Sequence, residues 1–185
     1  MRVSDFDVII APRLGGAEAE DWPWRWRANL STARFVAPAD LDQPNREAWI
    51  EAIAAAAGAA VRPLLLVGHG LGATAVVDAA EALAGADVRG AFLVTPPDDG
   101  ALRRLAGLDW AQPKAPLPWR SVVVASRNDP DGAFKAIAAL THAWGAELID
   151  AGLAGRLDAA SGHGPWPEGL IRLAGFIKRI SDRPN

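Results

Sequence analysis

Apolar residues along the chain fall into six short runs, at 6–11, 34–37, 64–67, 90–95, 121–125 and 147–149. Runs this brief and this uniformly apolar are what strands buried on both faces of a sheet require. Between them the spacing turns helical. Residues 21–30 place Trp22 and Trp26 four apart on one face. Residues 45–57, opened by Asn45 or just after Pro44, turn Trp49, Ile50 and Ile53 inward. Residues 73–83 align Val76, Val77, Ala80 and Leu83, and residues 133–144 predict a further helix. Residues 168–180 close the chain with Leu170, Leu173, Phe176, Ile177 and Ile180 at core spacing. The least regular stretch is 100–120. There Leu102, Leu105 and Leu108 predict one or two helical turns, and Pro113, Pro116 and Pro118 then hold the chain extended.

Strands that alternate with helices predict an α/β fold, a six-stranded doubly wound parallel sheet with helices on both faces. No linker, repeat or low-complexity tract divides the 185 residues, so one domain is expected. Sheets of this kind bind ligands at the carboxyl ends of their strands. The loops at 12–16, 68–72, 95–99, 126–131 and 151–164 therefore belong on one edge.

The unit at 62–85 organises the rest. An apolar strand runs into Gly68-His69-Gly70-Leu71-Gly72, and a helix follows. This is the frame of a nucleophile elbow, G-x-S-x-G, with Gly70 where the serine would stand. The elbow holds its central residue at positive φ, a strain of roughly 1–3 kcal/mol for a residue with a side chain and none for glycine. Glycine there keeps the turn and removes the hydroxyl that covalent acyl transfer needs. The pentapeptide alone is equally a tight strand-to-helix turn of some other α/β protein.

Composition narrows the chemistry. A net charge of −3 leaves no electrostatic footprint for nucleic acid or an anionic membrane. The absence of cysteine excludes disulfides, thiolate catalysis and Cys-ligated zinc. Asp98, Asp99, Asp129 and His163 lack the paired spacing of a metal site, so neither a metal nor a cofactor is expected. The eight tryptophans read as packing residues rather than a base-stacking surface. No signal-peptide core or membrane span is present, and a cytoplasmic location is the expectation.

Several runs together identify a likeness: PRLGG followed by DWPWRW, LLLVGHGLGA, LVTPPD, VVVASRNDP, WGAELIDAG and SGHGPWPEG. Across nearly its whole length the chain resembles the small single-domain α/β-hydrolase-fold serine hydrolases related to the retinoblastoma-binding-protein and YdeN-like proteins. The resemblance implies a triad in the order nucleophile, acid, base. Asp129 matches the acid; the nucleophile falls on Gly70 and the base on Arg156, in Ala154-Gly155-Arg156 where the family reads Ala-Gly-His. It also implies oxyanion-hole donors from the N–H of Leu71 and from the Leu14–Gly15 segment, with Arg13 where such loops commonly have glycine.

Neither replacement performs the lost task. Glycine offers no nucleophile, and arginine stays protonated and cannot serve as a general base. The expectation is an inactive hydrolase relative that keeps its pocket. If Arg156 reaches Asp129 and neutralises it, the helix at 71–84 and Arg13 favour a small acidic ligand; a protein partner is the other expected occupant. Two alternatives stand beside this. One is an active esterase with relocated groups, such as His163 driving a water into the space Gly70 opens. The other is a scaffold with a vestigial cleft. His69 is expected beneath the turn, His142 on the surface, and Ser126 as a turn hydrogen-bonder rather than a nucleophile; Ser161 and Thr74 complete the candidate nucleophiles.

Overall fold

The computed structural model describes residues 2–36, 38, 40–107 and 110–181. Its strands are β1 (Asp7–Ala11), β2 (Ala33–Phe35), β3 (Leu64–His69), β4 (Val88–Val94), β5 (Ser121–Ala125) and β6 (Glu147–Asp150). They form one sheet in the order β2-β1-β3-β4-β5-β6, with every neighbouring pair parallel. The helices are α1 (Trp22–Asn29), α2 (Arg46–Gly58), α3 (Leu71–Asp78), α4 (Asp99–Ala106), α5 (Phe134–Ala143) and α6 (Pro167–Ser181).

Alternation along the strands sorts the core into two layers. Ile9, Leu66, Leu93 and Val123 face one side, against Trp49 and Ile53 of α2, Val76 of α3, and Ile137 and Leu140 of α5. Val8, Ile10, Leu65, Val67, Phe92 and Val122 face the other, against Trp22 and Trp26 of α1 and Phe176 and Ile177 of α6. Both faces are covered, which is why the central strands read as unbroken apolar runs. Trp22, Trp26 and Trp166 pack on one another within the second layer. Trp24 instead lies at the surface, stacked on Phe35.

Several boundaries differ from the sequence expectation. The helix expected at 73–83 begins at Leu71 and ends at Asp78, after which the chain continues through turns. Asp78 is held there by Arg46 and by the indole N–H of Trp110. The strand expected at 90–95 starts earlier, at Val88, and stops before Thr95. The second strand ends at Phe35, and Ala37 lies outside the described residues, as does Leu108 beyond α4. Among the described residues no helix is long and apolar enough to cross a membrane.

Strand order reverses between β1 and β3, so the chain leaves those two strands in opposite directions and opens a crevice at their carboxyl ends. Two glycines let α3 settle into that crevice. A Cβ on Gly72 would fall on the carbonyl oxygens of Ala11 and Pro12 at the end of β1. A Cβ on Gly68 would lie 2.5 Å from the Ala73 Cα. Both obstacles are backbone and cannot swing aside. Gly72→Ala is therefore expected to destabilise the protein by about 2–3 kcal/mol in urea unfolding. Gly58→Ala, at a helical position with open space around it, is expected to be neutral or stabilising.

Candidate functional site

Between β3 and α3 stands Gly70, at φ 55° and ψ −124°. The strand, the turn and the helix expected of an elbow are thus all present, with the central residue at positive φ. α3 presents its first N–H groups here, beginning with Leu71; these have no acceptor within the helix and carry the positive end of its dipole. Arg13, from the loop after β1, closes in from the side. A Cβ on Gly70 would lie 3.2 Å from the Arg13 Cβ.

The exit loops of β5 and β6 are tied to each other. Asn128 accepts the Gly155 N–H at 2.8 Å through Oδ1, and Ser126 Oγ accepts the Ala154 N–H at 3.0 Å. The Arg127 N–H donates to the Gly152 carbonyl at 2.7 Å. The Arg156 backbone is fixed from below, because its carbonyl accepts from His69 Nε2 at 2.9 Å and from Thr95 Oγ1 at 3.1 Å. A carbonyl only accepts, so Nε2 carries the proton and His69 Nδ1 is a bare acceptor. That Nδ1 is buried without a partner. Burial, helped by the nearby Arg13 charge, pulls the His69 pKa down and keeps the ring neutral.

These loops enclose a cavity of about 240 Å³. It is lined by His69, Gly70 and Leu71 at the elbow, by Arg13 and Leu14 from the loop after β1, by Asp129, Asp131, Arg156 and Asp158 from the loops after β5 and β6, and by Thr95, Pro97 and Leu105. Both arginines are already engaged. Arg13 pairs with the buried Asp21 at 3.3 Å. Arg156 pairs through Nε with Asp131 at 2.6 Å, a contact that Arg104 joins at 3.8 Å.

The expected Arg156–Asp129 pair is therefore corrected: the guanidinium turns to Asp131 and leaves Asp129 unpaired. Asp129 accepts the Asp131 N–H at 3.0 Å, and among the described residues no cation reaches ion-pair distance. Burial, reinforced by the Asp131 charge, pushes its pKa up to about 6. Asp158 behaves differently. Burial opposes its charge too, but the Ser161 hydroxyl and N–H outweigh this and hold it below the usual range.

Of the residues singled out from the sequence, Arg13, Leu14, Gly70, Leu71, Asp129 and Arg156 meet in this cavity. Three do not. His163 lines a separate groove with Trp166, its Nδ1 2.9 Å from the Ser161 carbonyl. Asp98 caps α4 through the Ala101 N–H and also accepts the Ala133 N–H. Gly15 gives its N–H to the Leu41 carbonyl, so it has no donor left for an oxyanion. Ser126 is the expected turn hydrogen-bonder, donating to Asn128. Thr74 is buried and accepts from Gln112, and Ser161 serves Asp158 and the Arg156 N–H. Sequence reasoning missed Asp131, Asp158 and Thr95. Asp131 follows Asp129 by two positions and was the nearest signal; the positive φ of Thr95, 44°, has no trace in the sequence.

A parallel sheet with this strand order and an elbow at its switch point defines an α/β-hydrolase fold. More narrowly, the chain belongs to the Serine hydrolase family, whose model matches residues 8–175. Among solved structures it resembles a YdeN-like hydrolase from Pectobacterium atrosepticum, with TM-score 0.87 and 29% identity over 96% of this chain and 94% of that one. The ydeN product of B. subtilis matches at TM-score 0.70 and 20% identity, over 95% of this chain and 98% of that one. Esterase 2 of Thermogutta terrifontis shares the fold at TM-score 0.62 and 13% identity, over 100% and 88% respectively. No curated protein matches the sequence significantly.

The raised pKa of Asp129 makes its charge a cost to folding. Between the unfolded carboxylate range and about 6 the unfolded chain ionises first, so stability falls as pH rises through that window and stays lower above it. Asp129→Asn is expected to stabilise the protein at pH 7.5 by about 1–2 kcal/mol, a figure discounted for partial solvent exposure. The gain should vanish near pH 3.5. Thermal unfolding of both proteins across pH 3.5–8 checks this.

Proposed function

We propose that this member of the serine hydrolase family is non-catalytic and works as a ligand-binding protein through the cavity over Gly70. The observation that supports the reading most directly is what the cavity lacks. At the elbow stands a glycine, and at the position the resemblance assigns to the base an arginine is engaged in an ion pair with Asp131. Removing a nucleophile or a base from such a site costs on the order of 10⁶ in kcat. The α3 N-terminus alone leaves roughly 10³–10⁴ over the uncatalysed rate.

Relocated chemistry through His163 has no support, since that ring lies in another groove. The neutral His69 is engaged through Nε2 with the Arg156 carbonyl beneath the elbow. The acidic-ligand expectation depended on Arg156 neutralising Asp129, and Arg156 is engaged elsewhere. It stands as the competing proposal for what the cavity holds.

Short-chain p-nitrophenyl esters and a fluorophosphonate probe test the reading. Turnover no greater than that of denatured protein, and no covalent labelling, are expected. Turnover that rises with pH through about 6 would expose Asp129 as a base acting on water and overturn the reading.

The double change Gly70→Ser with Arg156→His is expected to recover esterase activity and labelling, while each single change stays near background. The introduced serine carries the strain of positive φ and a close Arg13 Cβ, so a stability loss of about 1–3 kcal/mol should accompany it. Urea unfolding of the Gly70→Ser variant measures that loss.

A further inference from the structure

We propose that the cavity over Gly70 takes a small organic cation bearing N–H groups, an azolium or alkylguanidinium, with Asp129 as its counter-ion beside Arg156. The inference deepens the non-catalytic reading and rests on it, because a histidine side chain at position 156 would fill the same space.

Charge decides the sign of the ligand. Around the cavity stand two guanidinium groups, Arg13 and Arg156, each already paired with a carboxylate. The same cavity is lined by Asp129 and Asp158, which have no guanidinium at ion-pair distance among the described residues, and by Asp131, which has. An anion placed at the α3 N-terminus would gain the helix dipole and the first N–H groups. It would also share one small enclosure with the Asp129 carboxylate and with Asp158, which Ser161 already holds in its charged form. A cation meets the reverse balance, and a buried carboxylate gains most from a partner that also donates a hydrogen bond.

The hydrogen-bonding groups are mixed but favour a donor: Arg13 Nε is a buried N–H without a partner among the described residues, and the open acceptors outnumber it. Asp129 has one oxygen occupied by the Asp131 N–H, and its other oxygen has no donor among the described residues. His69 is almost wholly buried, lines the cavity, and is neutral with its Nδ1 lone pair unpaired. Both are acceptors, and N–H donors satisfy acceptors. The volume, about 240 Å³, and the apolar contacts of Leu14, Leu71 and Leu105 suit a compact ring or a short alkyl group rather than a long acyl chain.

Titration calorimetry with methylguanidinium, imidazole, acetate and inorganic phosphate as probes tests the proposal, followed on the amide signals of Gly70 and Leu71. Methylguanidinium stays charged throughout, so its affinity reads the state of the protein alone. It is expected to bind roughly tenfold more tightly at pH 7.5 than at pH 5, as Asp129 ionises in the field of Asp131, Asp158, Arg156 and Arg13. Asp129→Asn, a variant expected to be at least as stable as its parent, should lose this binding. Arg156→His should lose it as well, because its ring occupies the space beside an intact Asp129.

Acetate or phosphate binding more tightly than either cation, and persisting in Asp129→Asn, would overturn the proposal in favour of an acidic ligand. Absence of any cation binding from protein that is also inert toward esters would sink the proposal and leave the non-catalytic reading standing. Ester turnover by the unaltered protein would remove that reading first, whatever the cations do.

Discussion

Everything at the site depends on how the Arg156 carbonyl is held. His69 Nε2, from the end of β3, and Thr95 Oγ1, from the end of β4, both donate to it, and the Arg156 N–H is held in turn by Ser161. The loop after β6 is thereby fixed beside the cavity through the backbone N–H and carbonyl of residue 156, gripped by the side chains of His69, Thr95 and Ser161. Such an anchor is indifferent to the side chain at position 156. A histidine or an arginine can stand there without moving the loop, so the cavity keeps its shape when its chemistry changes. The same logic holds at Gly70, where the conformation is set by the tight strand-to-helix turn and the close approach of α3 to β1. Glycines at the elbow and side chains that grip the backbone of the β6 exit loop shape the cavity, and the side chains at positions 70 and 156 bear on its chemistry.

That division also explains what was legible in the sequence. The sheet was readable because burial on both faces leaves the central strands almost wholly apolar; Leu64–His69 and Ser121–Ala125 are buried throughout, with His69 and Ser121 polar only at a strand end. The elbow was readable because three glycines at alternate positions answer two different demands, close approach at 68 and 72 and positive φ at 70. Which carboxylate meets Arg156 was not. Asp129 and Asp131 are two residues apart in one loop, and the choice rests on the path of the chain after β5. Asp98 and His163 were assigned to the cavity because their loops reach the correct edge. A loop of more than ten residues can carry a side chain into either of two grooves, and His163 occupies the one beside Trp166. Gly15 shows the same limit for backbone donors, since its N–H is consumed by Leu41, far away in sequence.

Strain is distributed unevenly around the site. Thr95 at φ 44° and Leu157 at φ 52° are the non-glycine residues at positive φ among those described. Both adjoin Arg156, one through the bond to its carbonyl and the other as the next residue in the chain. Each such position costs of order 1–3 kcal/mol and persists only where the surroundings hold it. At positions 70 and 155 the strain is absent, because glycine adopts φ 55° and 56° freely. The strain at Thr95 and Leu157 goes into positioning the Arg156 loop beside the cavity.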